Sequence, residues 1–305
     1  MPSFGTLRNT LKMPKTILVT GINGFIGSHL ALELLEKGYQ VIGVDQAYPK
    51  NIPKKIRFFR LDLTKDNTYR ELPRDIDTII HLAALMDKNP DEKKLIKVFT
   101  INCLATLKLL EFARKIKIKK FIFSSTANAI GFRDRAIKEN SRAIPEDFYG
   151  FTKRIGEDLV KYYCYHFKTQ ILRIFFPYGP GQTDNALLTR LIKNIKNRKE
   201  IIIYNLGRNP VLSVIYIDDL ISLMLKLINS DTGIINITSE EKFSILEICD
   251  MLGKRIGIKP RYKYINDNKK KNMYAALTNL KKNTDYKYKV NFNQGLDIVM
   301  RNLNE

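Results

Sequence analysis

Thr20-Gly21-Ile22-Asn23-Gly24-Phe25-Ile26-Gly27 lies between a short apolar strand, Thr16-Ile17-Leu18-Val19, and a helix expected from about Phe25 to Lys37. Gly21 permits a tight turn, and Gly24 has no Cβ to hold the backbone away from a pyrophosphate. Gly27 lets the helix lie close on the sheet, its positive N-terminal end toward the phosphates. A glycine triplet alone is weak evidence, so its surroundings decide the matter. A second strand, Gln40-Val41-Ile42-Gly43-Val44, ends in Asp45, 24 residues after Gly21. That is near the spacing of a carboxylate that bonds the ribose hydroxyls of a dinucleotide. Asp45 repels a 2′-phosphate and Gln46 follows it, which favours NAD over NADP. Lys50, Lys54 and Lys55 come shortly after, and one of them folding back would weaken that preference.

The bulk numbers set wider bounds. With 305 residues, 44% of them hydrophobic, the chain can form one large α/β domain or a domain with a smaller lobe. No apolar run reaches the length of a membrane span, and residues 1–15 lack the apolar core of a signal peptide. Three widely spaced cysteines, Cys103, Cys164 and Cys249, imply neither a disulfide framework nor a metal site. All three fall in helix-like apolar patterns, so buried thiols and a cytoplasmic location are expected. The formal charge of +21 raises the question of a nucleic-acid partner. The lysines, however, are spread along the whole chain. The densest runs, Lys115–Lys120 and Lys269–Lys271, are expected to be solvated faces, and nucleic acid is not the expected partner. Residues 1–14 match no element and are expected to form a disordered extension, with Met13-Pro14-Lys15 a natural start.

Strands are expected near 16–20, 40–45, 56–60, 77–82, 120–124 and 170–174, and helices near 25–37, 92–116 and 147–167, with a short one near 66–72. This alternation implies a Rossmann-type, doubly wound parallel sheet with a ligand crevice at the strands' carboxyl ends. Beyond it, helices near 185–197, 218–229, 244–256 and 293–303 mix with short strands near 201–204, 213–217 and 234–237. The expected division is a dinucleotide-binding domain over 15–175 and a small α/β substrate lobe over 176–305, the latter with returns to the sheet.

Tyr149-Gly150-Phe151-Thr152-Lys153 opens a strongly helical segment, and a spacing of four puts phenol and ammonium on one face. A phenol is a poor base at neutral pH. A nearby ammonium stabilises the phenolate and lets the tyrosine exchange protons with a substrate hydroxyl. Lys153 can also bond the nicotinamide ribose. Upstream, the strand Phe121-Ile122-Phe123 ends in Ser124-Ser125-Thr126, where a hydroxyl can bond a substrate oxygen. His81-Leu82-Ala83-Ala84 closes the fourth strand, and Asn102 lies inside the following helix.

From Lys15 to the C-terminus the chain resembles an extended short-chain dehydrogenase/reductase of the NAD-dependent epimerase/dehydratase family. The motifs run in family order through Thr20–Gly27, Asp45, Asp62-Leu63, His81–Ala84, Asn102, Ser124–Thr126 and Tyr149–Lys153. Leu172–Gly181 and Val214–Asp219 complete the series. The resemblance implies that Asp62 and Leu63 contact the adenine and Phe25 and Ile26 the pyrophosphate. It implies that Leu82, Ala83 and Ala84 line the dinucleotide and that Phe175 lies near the nicotinamide. Asn102 and Ser124 join the cofactor set, together with Tyr149 and Lys153. Thr126 falls on the catalytic Ser/Thr position, with Tyr149 as acid/base and Lys153 as its partner. A homodimer formed through the helices near 92–116 and 147–167 is a further implication.

Departures from the family pattern narrow the chemistry. The 4,6-dehydratases carry an acid pair after the catalytic threonine, where this chain has Ala127 and Asn128, and decarboxylating members use a glutamate at the Asn128 position. Elimination of water is therefore not expected. Phe176 replaces an asparagine that helps hold a diphosphate, Leu212-Ser213 occupies the stretch of a phosphate-pairing arginine, and Met86 stands where a lysine is often found. Arg173, Arg190 and Arg208 are candidates to replace the lost charge. Thr126, Tyr149, Met86 and Phe176 form the expected substrate set. The leading expectation is an NAD-dependent epimerase or oxidoreductase acting on a sugar-derived substrate, a nucleotide sugar first. The alternatives are a reductase or dehydrogenase of a non-nucleotide alcohol or ketone, with Phe176 and Leu212 lining its pocket, and a non-catalytic cofactor-sensing or RNA-binding module.

Overall fold

A computed structural model describes residues 15–49, 52–204, 210–265 and 272–303. The expectations for residues 1–14, Lys50, Arg208 and Lys269–Lys271 lie outside the described residues. The centre of the molecule is a seven-stranded sheet. Six strands come from the first part of the chain: β1 (Thr16–Thr20), β2 (Gln40–Asp45), β3 (Arg57–Arg60), β4 (Thr78–His81), β5 (Lys120–Thr126) and β6 (Lys168–Ile174). The order across the sheet is β3, β2, β1, β4, β5, β6 and then Ile234–Ile237, every pairing parallel. Every residue of β1 and of β4 is buried, as a parallel sheet covered on both faces requires. The chain runs outward in opposite directions from β1 and β4, so a crevice opens at their carboxyl ends.

Four helices position the site: α1 (Phe25–Glu36), α2 (Glu92–Phe99), α3 (Ala105–Lys115) and α4 (Phe148–Tyr162). The stretch expected as one helix near 92–116 is instead α2 and α3 joined by a π-helical segment, Thr100–Leu104. A π insertion is a local widening that the side-chain periodicity does not announce. The expected strand near 213–217 is two. Val211–Ser213 runs antiparallel to Lys242–Ser244, whereas Ile215–Tyr216 runs parallel to Pro177–Tyr178, so the chain changes partner at Val214. Ile234–Ile237 pairs with β6 and closes the main sheet, and Arg261–Ile265 pairs with Glu200–Tyr204.

Two surface expectations are corrected. Lys120 is buried, and its ammonium donates to the carbonyls of Leu227, Ile228 and Ser230 at the end of the helix Ile217–Ile228. It acts as a helix cap where a solvated face was expected. Cys103 and Cys249 are buried as expected, but Cys164 is exposed in the turn after α4.

Candidate active site

The crevice at the β1–β4 switch point is a cleft of about 370 Å³. Gly21, Gly24, Asp45, Leu63, Leu82, Ala83 and Ala84 line it, all of them expected from the sequence. Gly21 takes φ +69°, and its N–H donates to Val44 O at 2.9 Å, which folds the chain back over β2. A Cβ on Gly27 would stand 2.2 Å from Gly21 O, so only glycine allows α1 to start there. Gly24 caps α1 without a side-chain hydrogen bond, and no acid sits in the first turn. The leading N–H groups of α1 are therefore free to meet an anion. Phe25 and Ile26 begin this helix, their side chains packed on the core beneath.

The adenosine end is built by Asp45 and by a linked group of three side chains, Asp62, Thr64 and Gln46. Asp45 Oδ2 accepts from Asn23 N at 3.1 Å, which holds the carboxylate beside the glycine loop. Asp62 accepts from Thr64 N, Thr64 Oγ1 and Gln46 Nε2 at 3.0, 2.7 and 3.2 Å. Partial burial pushes the Asp62 carboxyl up, but these bonds and the charge of Lys65 outweigh it and leave the group below its ordinary range. Thr64, Leu85, Ile101 and Ala105 also line the cleft, and sequence reasoning missed them. Ile101 belongs to the π segment and Ala105 follows it directly.

Behind the cleft runs a chain of hydrogen bonds whose direction can be assigned. Thr20 Oγ1 accepts from Ala83 N at 3.2 Å and gives its own proton to His81 Nδ1 at 2.7 Å, a direction fixed at the far end of the chain, where Thr106 gives its only proton to Asn102 O. His81 then carries its proton on Nε2 and donates to Thr106 Oγ1 at 2.9 Å, and Thr106 donates to Asn102 O at 2.7 Å. Burial, with the nearby Lys153 charge, presses the imidazole down to about 3, so it stays neutral. Asn102 lies in the π segment. Its Oδ1 accepts from Leu85 N at 2.8 Å, and its Nδ2 donates to Leu85 O at 3.0 Å and to Thr152 Oγ1 at 2.9 Å. One amide thus fixes the loop after β4 to the helix that carries Tyr149 and Lys153.

Thr126 ends β5 and Ser124 stands two residues before it, both half-buried. Tyr149 and Lys153 occupy the first turns of α4. Lys153 is 2% exposed, with its ammonium 4.1 Å from the centroid of the Phe123 ring. Burial lowers it to about 7, against the opposing charges of Glu157 and Cys103. Burial and the Asp147 carboxylate push the Tyr149 phenol upward. Lys153 is not among the groups that shift the Tyr149 phenol here, and its ammonium lies over the Phe123 ring.

Arg173 cannot serve as the replacement phosphate cation. It is 1% exposed, and its Nε and Nη2 each meet a Glu157 carboxylate oxygen at 2.8 Å. Ser125 Oγ adds a third bond to Glu157 at 2.6 Å, and Arg173 Nη1 donates to Glu139 O at 2.7 Å. Arg190 is exposed on the helix Leu187–Lys196. Leu212 and Phe175 are buried with Ala127, Ile130, Ile137 and Met273 in an apolar cluster, and half-buried Phe176 packs against it with φ +30°. Met86 is 60% exposed. Among the described residues no His/Cys/Asp/Glu group could hold a metal ion.

A doubly wound sheet with a glycine loop at its switch point, and threonine, tyrosine and lysine on the next strand and helix, defines an extended short-chain dehydrogenase/reductase. The chain belongs to the NAD dependent epimerase/dehydratase family, whose model matches residues 17–238. It is 28% identical over 297 residues to a putative UDP-glucose 4-epimerase of Methanocaldococcus jannaschii, covering 93% of this chain and 97% of that one. Its fold matches the crystal structure of UDP-glucuronic acid 4-epimerase from Bacillus cereus, in complex with UDP-glucuronic acid and NAD. The TM-score is 0.84 at 30% identity, covering 95% and 99% of the two chains. UDP-glucose 4-epimerase from Thermotoga maritima, solved with UDP-glucose, gives a TM-score of 0.85 at 25% identity, covering 95% and 98%.

Proposed function

We propose that this enzyme is an NAD-dependent epimerase of a nucleoside-diphosphate sugar, inverting the C4 hydroxyl through a transient ketone. The observation that carries the reading is a proton-relay set, Thr126, Tyr149 and Lys153, beside a dinucleotide crevice with no acid at positions 127 and 128. Asn128 gives its amide to Asp147, and Ala127 is buried, so neither moves the proton that loss of water requires. The similarity to 4-epimerases of UDP-sugars supports both the carbon and the substrate class.

Asp45 would hold the adenosine ribose hydroxyls, the first turn of α1 the pyrophosphate, and Lys153 the nicotinamide ribose. Bound NAD supplies a hydride acceptor whose positive ring also favours the tyrosinate. Thr126 orients the substrate hydroxyl, and Tyr149 removes its proton and later returns it. Lys153 moves a proton readily near neutrality, since burial brings it to about 7. In this reading residues 15–175 bind the cofactor, and 176–305 mainly bind the sugar nucleotide.

Incubation with UDP-glucose, UDP-glucuronic acid and UDP-N-acetylglucosamine, followed by proton NMR of the anomeric region, tests the proposal. The expected result is a C4-inverted product from one of them and loss of turnover in Tyr149→Phe. A Tyr149→Phe variant with near-normal turnover sinks the mechanism. Buried Leu212 at the place of a phosphate-pairing arginine favours a second reading, a reductase of a non-nucleotide ketone. Absence of a thermal shift with any UDP-, GDP-, CDP- or dTDP-sugar would select it.

The proposed assembly is a homodimer. Leu95, Ile96 and Phe99 on α2 and Phe151 and Tyr162 on α4 are exposed, an apolar surface that a second copy would cover. Light scattering at micromolar concentration tests it. Among the described residues no helix is long and apolar enough to cross a membrane, in keeping with a proposed cytoplasmic location.

A further inference from the structure

Lys153 is a buried cation whose polar neighbours are all committed elsewhere. Glu157, one turn further along α4, gives its carboxylate to Arg173 and to Ser125 Oγ. Cys103 donates its thiol hydrogen to Thr152 O at 3.6 Å. His81 accepts from Thr20 and donates to Thr106, and its ring stays neutral. Among the described residues the ammonium makes neither a hydrogen bond nor an ion pair with the protein. What faces it at short range is a ring, the Phe123 centroid standing 4.1 Å from Nζ.

That ring cannot turn away. Phe123 is fully buried on β5, opposite His81 on β4, and the two ring centroids are 5.8 Å apart. From the other side α4 closes on it at Gly156. A Cβ on Gly156 would stand 2.5 Å from Phe123 Cζ, so glycine is what lets the helix come down on the ring edge. Gly156 lies three residues after Lys153 and shares its helix face. The approach that brings Gly156 to the edge of the ring therefore brings Lys153 over its face. Thr126 ends the same strand three residues beyond Phe123.

We propose that Phe123 is a positioning residue for Lys153, an aromatic seat fixed by Gly156 that holds the buried ammonium in place. The assignment rests on the reading of Lys153 as partner of Tyr149 and holder of the nicotinamide ribose. A carboxylate in the place of the ring would neutralise the cation and take up its N–H donors. The face of a ring attracts the charge through its quadrupole and offers no lone pair. Donors pointing away from the ring stay available for a ribose hydroxyl, and a charge that burial opposes is retained.

The test reads the ammonium itself in the nucleotide-free, full-length chain, so it stands whether or not C4 inversion is found. Lysine carrying a carbon isotope label at Cε reports protonation by NMR, and the Lys153 signal is the one lost in Lys153→Met. Burial puts its midpoint at about 7, well apart from an ordinary lysine at 10.5. Phe123→difluorophenylalanine, introduced by nonsense suppression, keeps the shape of the ring and weakens its negative face. It should lower the midpoint by about 0.5, and Phe123→Leu, which removes the ring, by about 1. Affinity for NADH, measured by calorimetry, should fall in the same order, by about threefold to tenfold, because an unseated ammonium meets the ribose less often. The fluorinated ring preserves the packing, so a folding defect in Phe123→Leu does not blur the result. A midpoint that fluorination leaves unmoved would show that Phe123 only fills space, and would overturn the proposal. A midpoint that falls while NADH affinity holds would overturn it too, since the ring would then stabilise the charge without placing it.

Discussion

Asn128 donates its side-chain amide to Asp147, Nδ2 to Oδ2 at 2.7 Å, and so ties the turn after Thr126 to the start of the helix that carries Tyr149. The other carboxylate oxygen of Asp147 caps that helix, accepting from Gly150 N at 2.6 Å. Asn128 N also donates to Thr126 Oγ1 at 3.3 Å. This amide–carboxylate contact thus helps set the separation of the two groups that must meet one substrate hydroxyl, beside the Ser125–Glu157 bond and the close seat of Gly150 on the Asn128 backbone. Asn128→Ala should lower kcat by about tenfold to a hundredfold with a smaller change in KM, because misplaced catalytic groups cost transition-state alignment. Steady-state kinetics on the sugar nucleotide identified by NMR would check this, and a change in KM alone would refute it.

The same carboxylate has a charge effect that can be separated from its capping role. Asp147 pushes the Tyr149 phenol upward. Asparagine caps helices as well as aspartate does, so Asp147→Asn removes the charge and keeps the cap, with the Asn128 amide turned over to give its oxygen to the new Nδ2. The phenol then gives up its proton at lower pH, and the acid limb of kcat/KM should move toward lower pH. A pH–rate profile that does not shift would show that Asp147 acts on Tyr149 through geometry alone.

Arg173 and Glu157 form a buried bidentate pair, and the other cation that reaches Glu157, half-buried Arg154 at 3.5 Å, makes the longer contact. Arg173→Met should destabilise the fold by about 3–5 kcal/mol, the range found when one partner of a buried pair is removed. Arg173→Met with Glu157→Leu should recover part of the loss. Urea denaturation followed by circular dichroism measures both.

The glycine loop, Asp45 and the Tyr149/Lys153 spacing were legible in the sequence because each is a local pattern, fixed within a turn of helix or at a strand end. The main sheet was legible too, since the buried runs of β1, β4 and β5 have no other place to go. Arg173 and Lys120 were misjudged for one reason. The side chain alone says "surface cation", and its fate depends on Glu157 or on carbonyls 107 and more residues away. The Asn128–Asp147 contact spans a loop in the same way. The π segment that delivers Asn102 leaves no mark in the periodicity, because the apolar positions on either side of it still fit an ordinary helix.

Asn102 makes a prediction of its own. Asn102→Ala leaves Leu85 N–H and O without their partners beneath the cleft and releases Thr152. The cost should be about 1–3 kcal/mol of stability for the orphaned groups. Affinity for NADH should fall as well, since Leu82, Ala83 and Leu85 line the cleft from that loop. Thermal unfolding and NADH titration of the same preparation would check the two effects together, and unchanged NADH affinity would detach the loop from cofactor binding.

Lys153 gives the fold a pH dependence of known sign. Burial brings its pKa down to about 7 from an ordinary 10.5, so the unfolded chain holds this proton more tightly than the folded one. Stability rises with pH wherever the unfolded state binds more protons. The Lys153 contribution is therefore least favourable below about pH 7 and recovers as pH climbs toward 10.5. Lys120, brought down to about 8 by its own burial, adds a rise of the same sign over a narrower window. The buried tyrosines pull the other way only near and above pH 10, where the unfolded phenols ionise. Urea midpoints measured between pH 6.5 and pH 8 should climb in the wild type, below the range where the unfolded thiols of Cys103 and Cys249 ionise while burial holds the folded ones protonated. Lys153→Met should begin higher at pH 6.5 and climb less, leaving the share due to Lys120. A Lys153→Met curve parallel to the wild type would mean that the ammonium keeps its ordinary affinity for the proton despite its place against Phe123.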